Sequence, residues 1–490
     1  MFFKEYHRRI KIILVVIILL FILIISKIFY IQVFSYKKLN NYANSLWSRN
    51  LPIEASRGRI LDRNGVVLAD NVTTTSLVLV PNQIKNKKEV CEKLAEILNV
   101  SYDEMKKHVF KNTTIERVHP IGRRLSYEIA DKIEALKFDG VYLLKEATRS
   151  YPYNTLLSHV LGYVGIDNQG LSGLELQYNN VLTGEYGAIK YYSDAKGNRL
   201  NLNEVYEKPQ DGINMTLTIN MDIQSSLERE LDNAMLKYNP DQALGIVMDP
   251  KSGEILAISS RPNFSPSNYQ NYTVEEINRN LPVWMTYEPG STFKIITLAA
   301  SLEEKIVDLD NDTFFDSGAV TVDNATLHCW KHGGHGAQTY LQVVENSCNP
   351  GFVNLGLKLG KEKLFNYIKQ FGFGTKTGVD LNGEGSGIIF NLDKVGNVEL
   401  ATTAFGQGVS VTPIQQITAV SAAINGGYLY KPYIVKSLNE PETNTVVQEN
   451  NNQIVRKVIS EETSEKVRYA LERKLYLSRP VQHSNHTWKV

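Results

Sequence analysis

The sequence predicts a membrane-anchored, multidomain α+β protein whose C-terminal half is an α/β unit. Three observations predict it. An apolar run near the N-terminus is long enough to span a bilayer. Residues 34–213 mix short strands and helices. From Asn214 the order becomes strand, helix, hairpin, and then a helix that opens on a serine and a lysine one turn apart.

The apolar run comes first. From Ile12 to Val33 the only strongly polar side chains are Ser26, Lys27 and Gln32. As a helix this stretch covers about 30 Å, the thickness of a bilayer core. Lys4, Arg8, Arg9 and Lys11 precede it, which favours a cytoplasmic N-terminus of residues 1–9 and an exported remainder. Lys37 and Lys38 follow it, so the charge asymmetry is modest. The run is long for a signal peptide and no small-x-small site follows, so residues 10–33 read as an uncleaved single-pass anchor. Lys37 to Ser56 reads as a membrane-proximal helix and linker.

In residues 34–213, Asn64-Gly65 between apolar runs predicts a hairpin. Ser126 to Leu136 predicts a serine-capped helix, and Tyr186 to Ser193 a strand ending at Lys196-Gly197-Asn198. Asp211-Gly212 marks the boundary. In residues 214–471, Leu217 and Ile219 sit on a strand, and Ile223, Leu227, Leu231, Ala234, Met235 and Tyr238 form an apolar stripe of helical period. Ala243 to Met248 and Glu254 to Ser260 predict a hairpin around Asp249-Pro250-Lys251-Ser252-Gly253. Ser460 to about Leu471 reads as an amphipathic helix, and residues 472–490 as an atypical tail.

The net charge of +1 gives no electrostatic case for nucleic acid. Three cysteines, Cys91, Cys329 and Cys348, do not make a disulfide scaffold in a 490-residue chain.

The chemistry centres on Ser291-Thr292-Phe293-Lys294. A hydroxyl and an amine on one helix face supply a nucleophile and a base. Alone, such a pair reads more readily as a capping serine and a surface lysine. Ser347-Cys348-Asn349, followed by the apolar helix Phe352, Val353, Leu355, Leu357 and Leu359, adds the second element of penicillin-recognising serine enzymes.

Taken in order, these residues resemble the class B penicillin-binding proteins, the membrane-bound peptidoglycan D,D-transpeptidases. Arg57-Gly58-Arg59-Ile60-Leu61-Asp62-Arg63-Asn64-Gly65 looks like the family's N-terminal signature, and Gly170-Leu171-Ser172-Gly173-Leu174-Glu175 resembles a second pedestal motif. Glu288 to Lys294 matches the first catalytic motif, and Ser347-Cys348-Asn349 the second. Phe371-Gly372-Phe373-Gly374 and Phe405-Gly406-Gln407-Gly408 fit its landmarks. Cys329-Trp330-Lys331, Gly334-His335-Gly336 and Asn346 to Phe352 are similar to its sporulation branch.

The resemblance implies a pedestal (dimerisation-type) domain followed by a penicillin-binding, serine β-lactamase-like transpeptidase domain. It implies a serine acyl-enzyme that cross-links stem peptides, in spore cortex synthesis. Ser291 would be the nucleophile, Lys294 the base, Ser347 the proton relay and Asn349 the substrate-amide ligand. Arg57, Gly58, Asp62, Arg63, Gly65 and Glu175 read as structural. β-Lactams would be ligands and a membrane glycan polymerase a partner, with no metal and no organic cofactor. His328, Cys329, His332 and His335 have metal-like spacing, but a glycine-rich rim loop looks the same. Cys329 and Cys348 form a redox candidate: a disulfide would pull on the loop holding Ser347 and Asn349, with a thiol-disulfide oxidoreductase as partner.

The family's third motif is Lys-Thr-Gly or Lys-Ser-Gly on a strand beside the site. Lys376-Thr377-Gly378 has the wording but precedes Gly406-Gln407-Gly408, so it reads as a decoy, and no such triplet follows Gly408. Residues 472–490 have no family likeness, which reads as a frameshift or truncation before that motif. Incomplete C-terminal strands would leave an unpaired sheet edge and poor stability. The competing reading is a catalytically silent relative acting as a membrane scaffold.

Overall fold

The computed structural model describes residues 2–39, 48–113, 115–192 and 205–477. It divides into two compact units.

The smaller unit comprises Met1–Ala55, Thr74–Glu146 and Glu185–Gln210. Its N-terminal helix runs Phe2–Val33, and the segment Ile10–Val33 is long and apolar enough to cross a membrane. Its apolar side chains are exposed, as a lipid-facing helix requires. Beyond it, Ser48–Ile53 is a strand, not the end of a linker, and pairs antiparallel with Gly187–Tyr192. Pro52 and the β-branched Ile53 favour an extended edge over a helix. The strand expected at Tyr186 to Ser193 is therefore present; the turn at Lys196 to Asn198 lies outside the described residues.

Three helices pack over the rest of this unit. Asn86 caps Lys87–Leu98, Ser101 caps Tyr102–Val109, and Ser126 caps Tyr127–Ala135. Each cap accepts a backbone N–H that the first turn cannot satisfy. Their apolar faces bury Val90, Leu94, Met105, Val109 and Ile133 against Leu77 and Leu79.

The larger unit comprises Ser56–Thr73, Ala147–Gly184 and Asp211–Val490. This division cuts across the sequence boundary at residue 213, because two pedestal segments pack with the C-terminal half. Ile60 pairs with Ala69 across the Asn64-Gly65 turn and with Met215 on its other side. Gly58 passes so close to Ile213 that a Cβ would lie 1.9 Å from its carbonyl oxygen.

Buried charge holds the signature together. Arg57 Nε and Arg149 Nε each donate to the Glu175 carboxylate at 2.6 Å. Arg57 also reaches the Asn168 carbonyl, Asn179 Oδ1 and Thr183 Oγ1. Asp62 accepts the N–H groups of Asn64 and Val66 at 2.8 Å, and that of Met221 at 3.2 Å. That last contact sets a carboxylate on a helix N-terminus. Arg63 pairs with Glu254 at 3.3 Å.

Within this unit we label elements from residue 214 onward. Strand β1 (Asn214–Leu217) leads into helix α1 (Met221–Tyr238), capped by Asn220. The stripe read from the sequence holds from Ile223 to Met235 and fails at its end. Tyr238 is exposed, and the buried face includes Gln224 and Glu228. Gln224 accepts the Ile258 N–H and donates to the Ile258 carbonyl, so polar bonds, not an apolar stripe alone, dock α1. Strands β2 (Ala243–Met248) and β3 (Ile255–Arg261) form the expected hairpin, and among the described residues they pair with no third strand.

Helix α2 (Lys294–Glu303) follows a tight 3-10 turn, Gly290–Phe293. A small β region comes next: β4 (Thr313–Asp316), β5 (Ala319–Val322), β6 (Ala325–His328) and β7 (Gly336–Thr339). Here β4 pairs with β7 and β5 with β6. Helices α3 (Tyr340–Glu345), α4 (Asn349–Leu359), α5 (Lys361–Gln370), α6 (Asn397–Ala404) and α7 (Pro413–Ile424) follow, and α4, α5 and α7 pack directly on α2. Strands β8 (Tyr428–Tyr430), β9 (Val435–Asn439), β10 (Val446–Glu449) and β11 (Ile454–Lys457) precede the final helix α8 (Glu461–Leu477). Helix α8 runs past Leu471, through residues assigned to the atypical tail, while 478–490 lie outside the described residues. Val467 and Ala470 seal it onto α2's core, with Phe293, Ile296 and Ala299. A buried side chain of leucine or isoleucine size contributes about 1.5–3 kcal/mol, so this core fixes α2 firmly.

Candidate active site

The Ser291 turn is built by backbone fit. Gly290 takes a positive φ of 56°, a conformation that costs glycine little. Its N–H donates to the Gly406 carbonyl at 3.0 Å, and a Cβ on Gly406 would lie 2.0 Å from the Gly290 oxygen. Glu288 accepts the Gly408 N–H at 2.9 Å. The Phe405-Gly406-Gln407-Gly408 landmark is thus the brace behind Ser291.

Lys294 projects from the first turn of α2 and is 3% exposed. Its Nζ lies 3.0 Å from Ser347 Oγ, and donates to the Ser347 carbonyl at 2.8 Å and to Asn349 Oδ1 at 2.7 Å. The Phe352 ring lies beneath it, 5.4 Å from Nζ to the centroid. That aromatic neighbour escaped the sequence reading, although its place one turn into α4 was the available signal. Ser347 sits at a left-handed φ of 49°, backbone strain of the kind concentrated at functional sites. Asn349 Nδ2 donates to the His328 carbonyl at 3.1 Å, which ties its amide to the end of β6.

The structure therefore brings Ser291, Lys294 and Ser347 to one cavity of about 210 Å³, floored by Leu298, Phe352 and Leu471. Lys376-Thr377-Gly378 lies elsewhere: Lys376 and Thr377 line a separate cavity with Phe371 and Arg456. Thr377 there binds the Glu384 carboxylate through N–H and Oγ1, at 2.6 and 2.5 Å. No strand carries it.

Behind the loop, both redox-candidate cysteines are buried free thiols. Cys348 Sγ donates to Asp316 Oδ2 at 3.3 Å, and Cys329 Sγ lies 3.4 Å from His335 Nδ1. Burial pushes the Cys348 thiol up to about 12, and the Asp316 charge adds to the rise. Burial also opposes the charge on Asp316. Hydrogen bonds from the Gly318 N–H, His335 and both thiols outweigh it and hold that carboxyl at about 2. A thiol so held is a poor nucleophile at neutral pH. Asp316 was missed from sequence; its only signal was the Asp-Ser-Gly turn closing β4.

Comparisons with known proteins agree with this architecture. The model of the penicillin binding protein transpeptidase domain matches residues 243–475. That of the penicillin-binding protein dimerisation domain matches residues 52–217. The chain is 54% identical over 466 residues to stage V sporulation protein D of Bacillus subtilis (strain 168), covering 95% of this chain and 72% of that one. It is 27% identical over 433 residues to peptidoglycan D,D-transpeptidase FtsI of Escherichia coli (strain K12), covering 85% and 71%. Among solved structures, penicillin binding protein 2X from Streptococcus thermophilus superposes with a TM-score of 0.69 at 25% identity, covering 86% of this chain and 66% of that one. A peptidoglycan synthetase from Bifidobacterium adolescentis gives 0.70 at 25%, covering 88% and 82%. The chain belongs to the class B penicillin-binding proteins.

Proposed function

We propose that this chain is a serine-type peptidoglycan D,D-transpeptidase that acts in spore cortex synthesis. The observation that carries the reading is the Lys294 contact set, which joins the Ser-x-x-Lys helix to Ser347 and Asn349 beside Ser291. The likeness to stage V sporulation protein D supports the sporulation role.

In this reading Ser291 Oγ attacks the carbonyl between two D-alanines of a stem peptide. Lys294, as the neutral amine, takes the serine proton. The new ester bond forms as the amide C–N bond breaks. Ser347 passes a proton to the departing D-alanine, and Asn349 holds the substrate amide. The Ser291 N–H supplies one oxyanion donor, worth about 3 kcal/mol. An amine from a second stem peptide then displaces Ser291 and completes the cross-link. β-Lactams acylate the same serine.

The apolar helix anchors the protein with residues 1–9 in the cytoplasm and the catalytic unit outside. A membrane glycan polymerase is the partner that such an anchored cross-linker needs. Exchange with an oxidised dithiol protein outside the membrane would join Cys329 to Cys348, passing two electrons and two protons to that partner's disulfide, and would distort the Ser347–Asn349 corner. A thiol-disulfide oxidoreductase would reverse it. Thiol mapping under oxidising conditions tests this; two free thiols there would refute it.

Fluorescent penicillin labelling of membranes carrying the chain tests the main reading. Labelling that Ser291→Ala abolishes is the expected result. A folded chain that takes no label with its thiols reduced would overturn catalysis and leave a scaffold.

A further inference from the structure

The side chains of Asp316, Cys329, His335 and Cys348 converge from three separate segments, Cys329 and His335 sharing the loop between β6 and β7. Asp316 ends β4, Cys329 follows β6, His335 precedes β7, and Cys348 caps α4. Their ligand atoms all lie within 4.8 Å of one another. Asp316 and Cys348 are fully enclosed, Cys329 is 8% exposed, and the His335 side chain is 5% exposed.

The arrangement has the dimensions of a coordination shell. Zinc bond lengths of about 2.0–2.3 Å set the edges of a tetrahedron at about 3.3–3.8 Å. Here Cys348 Sγ to Asp316 Oδ2 is 3.3 Å, Cys329 Sγ to His335 Nδ1 is 3.4 Å, and His335 Nδ1 to Asp316 Oδ2 is 2.8 Å. A modest expansion accommodates an ion at the centre. Donor chemistry selects the metal: two sulfurs, one imidazole nitrogen and one carboxylate oxygen suit zinc, and suit neither magnesium nor calcium.

We propose that, with Cys329 and Cys348 reduced, these four side chains form a structural zinc site, a state that a Cys329–Cys348 disulfide excludes. Four protein ligands close the shell and leave no open position, so the ion itself does no chemistry. Binding releases two thiol protons, one each from Cys329 and Cys348, while Asp316 enters as carboxylate and His335 through Nδ1. The site's position gives it a purpose. Cys348 stands between Ser347 and Asn349, so a bound ion tethers that corner to the ends of β4 and β6. The sequence reading favoured no metal here, and the spacing it weighed was that of His328, Cys329, His332 and His335. Of those four only Cys329 and His335 belong to the cluster, which Asp316 and Cys348 complete.

Metal binding is measured directly, so the result stands apart from transpeptidase activity. The full chain, purified in detergent with its thiols reduced and counted, is dialysed against zinc and then cobalt(II). The expected result is one metal per chain, with cobalt giving thiolate charge-transfer absorption and intense tetrahedral visible bands. Asp316→Asn and His335→Gln should each weaken zinc in chelator competition by roughly 100-fold, with both cysteines still present. Cys348→Ser should remove most of the charge-transfer intensity. The wild-type cobalt spectrum needs no variant to fold, and circular dichroism checks each variant. A folded wild-type chain with both thiols free and no stoichiometric metal overturns the proposal. So does zinc affinity unchanged in Asp316→Asn and His335→Gln.

Discussion

Replacing Glu175 with alanine should unfold the larger unit more readily than any surface change. Its carboxylate is fully buried between two guanidiniums, each bonded at 2.6 Å, with Tyr151 Oη at 3.4 Å. The two arginines do not lose equally. Arg57 keeps bonds to the Asn168 and Glu175 carbonyls, Asn179 and Thr183. Among the described residues Arg149 keeps only a 3.4 Å side-chain contact to Asn71 Oδ1, and its side chain is 1% exposed. Leaving a charge buried without its partner costs about 3–5 kcal/mol. In a domain of this size that lowers the melting temperature on the order of 10 °C. Thermal unfolding of the full chain in detergent, followed by intrinsic fluorescence, measures it. Adding Arg149→Met to Glu175→Ala should recover more than half of the loss, because the stranded charge goes with it. A Glu175→Ala loss below about 1 kcal/mol would refute the reasoning, since the guanidiniums would then be reaching water.

Three further outcomes follow from particular contacts. Burial raises the Glu303 carboxyl, but hydrogen bonds from Thr463 and Ser460 outweigh it and bring it below its ordinary value. Its stabilisation is therefore complete above the unfolded carboxyl value of about 4.3 and is lost as pH falls through the lower folded value. Glu303→Gln should flatten that acid limb in a pH series of melting curves. Gly406→Ala sets a Cβ 2.0 Å from the Gly290 oxygen at a φ of 87°. It should cost about 2–3 kcal/mol in denaturant unfolding and slow penicillin acylation by displacing the Ser291 turn. Lys376→Ala, in the loop triplet, should leave acylation within about twofold in the same labelling assay.

Much of this protein was legible before folding was considered. The apolar anchor, the Asn64-Gly65 turn, the Ser126 cap and the Ser291–Lys294 pair each depend on neighbours a few residues apart, where local sterics and helical spacing decide the outcome. The helix docking of Gln224 was not legible, since a buried glutamine is favourable only when a strand backbone faces it. Nor was the strand at Ser48–Ile53, whose partner lies far along the chain at Gly187–Tyr192.

By itself, the sequence determined the apolar N-terminal helix, the Asn64-Gly65 turn and the one-turn spacing of Ser291 and Lys294, because local geometry enforces all three. Only the tertiary structure decided which distant groups meet. It placed Arg149 beside Glu175, set Phe352 under Lys294 and gathered Asp316 and His335 around two cysteines. The physical reason is that buried charges and thiols are stable only with partners, and backbone topology, not spacing in the chain, supplies those partners.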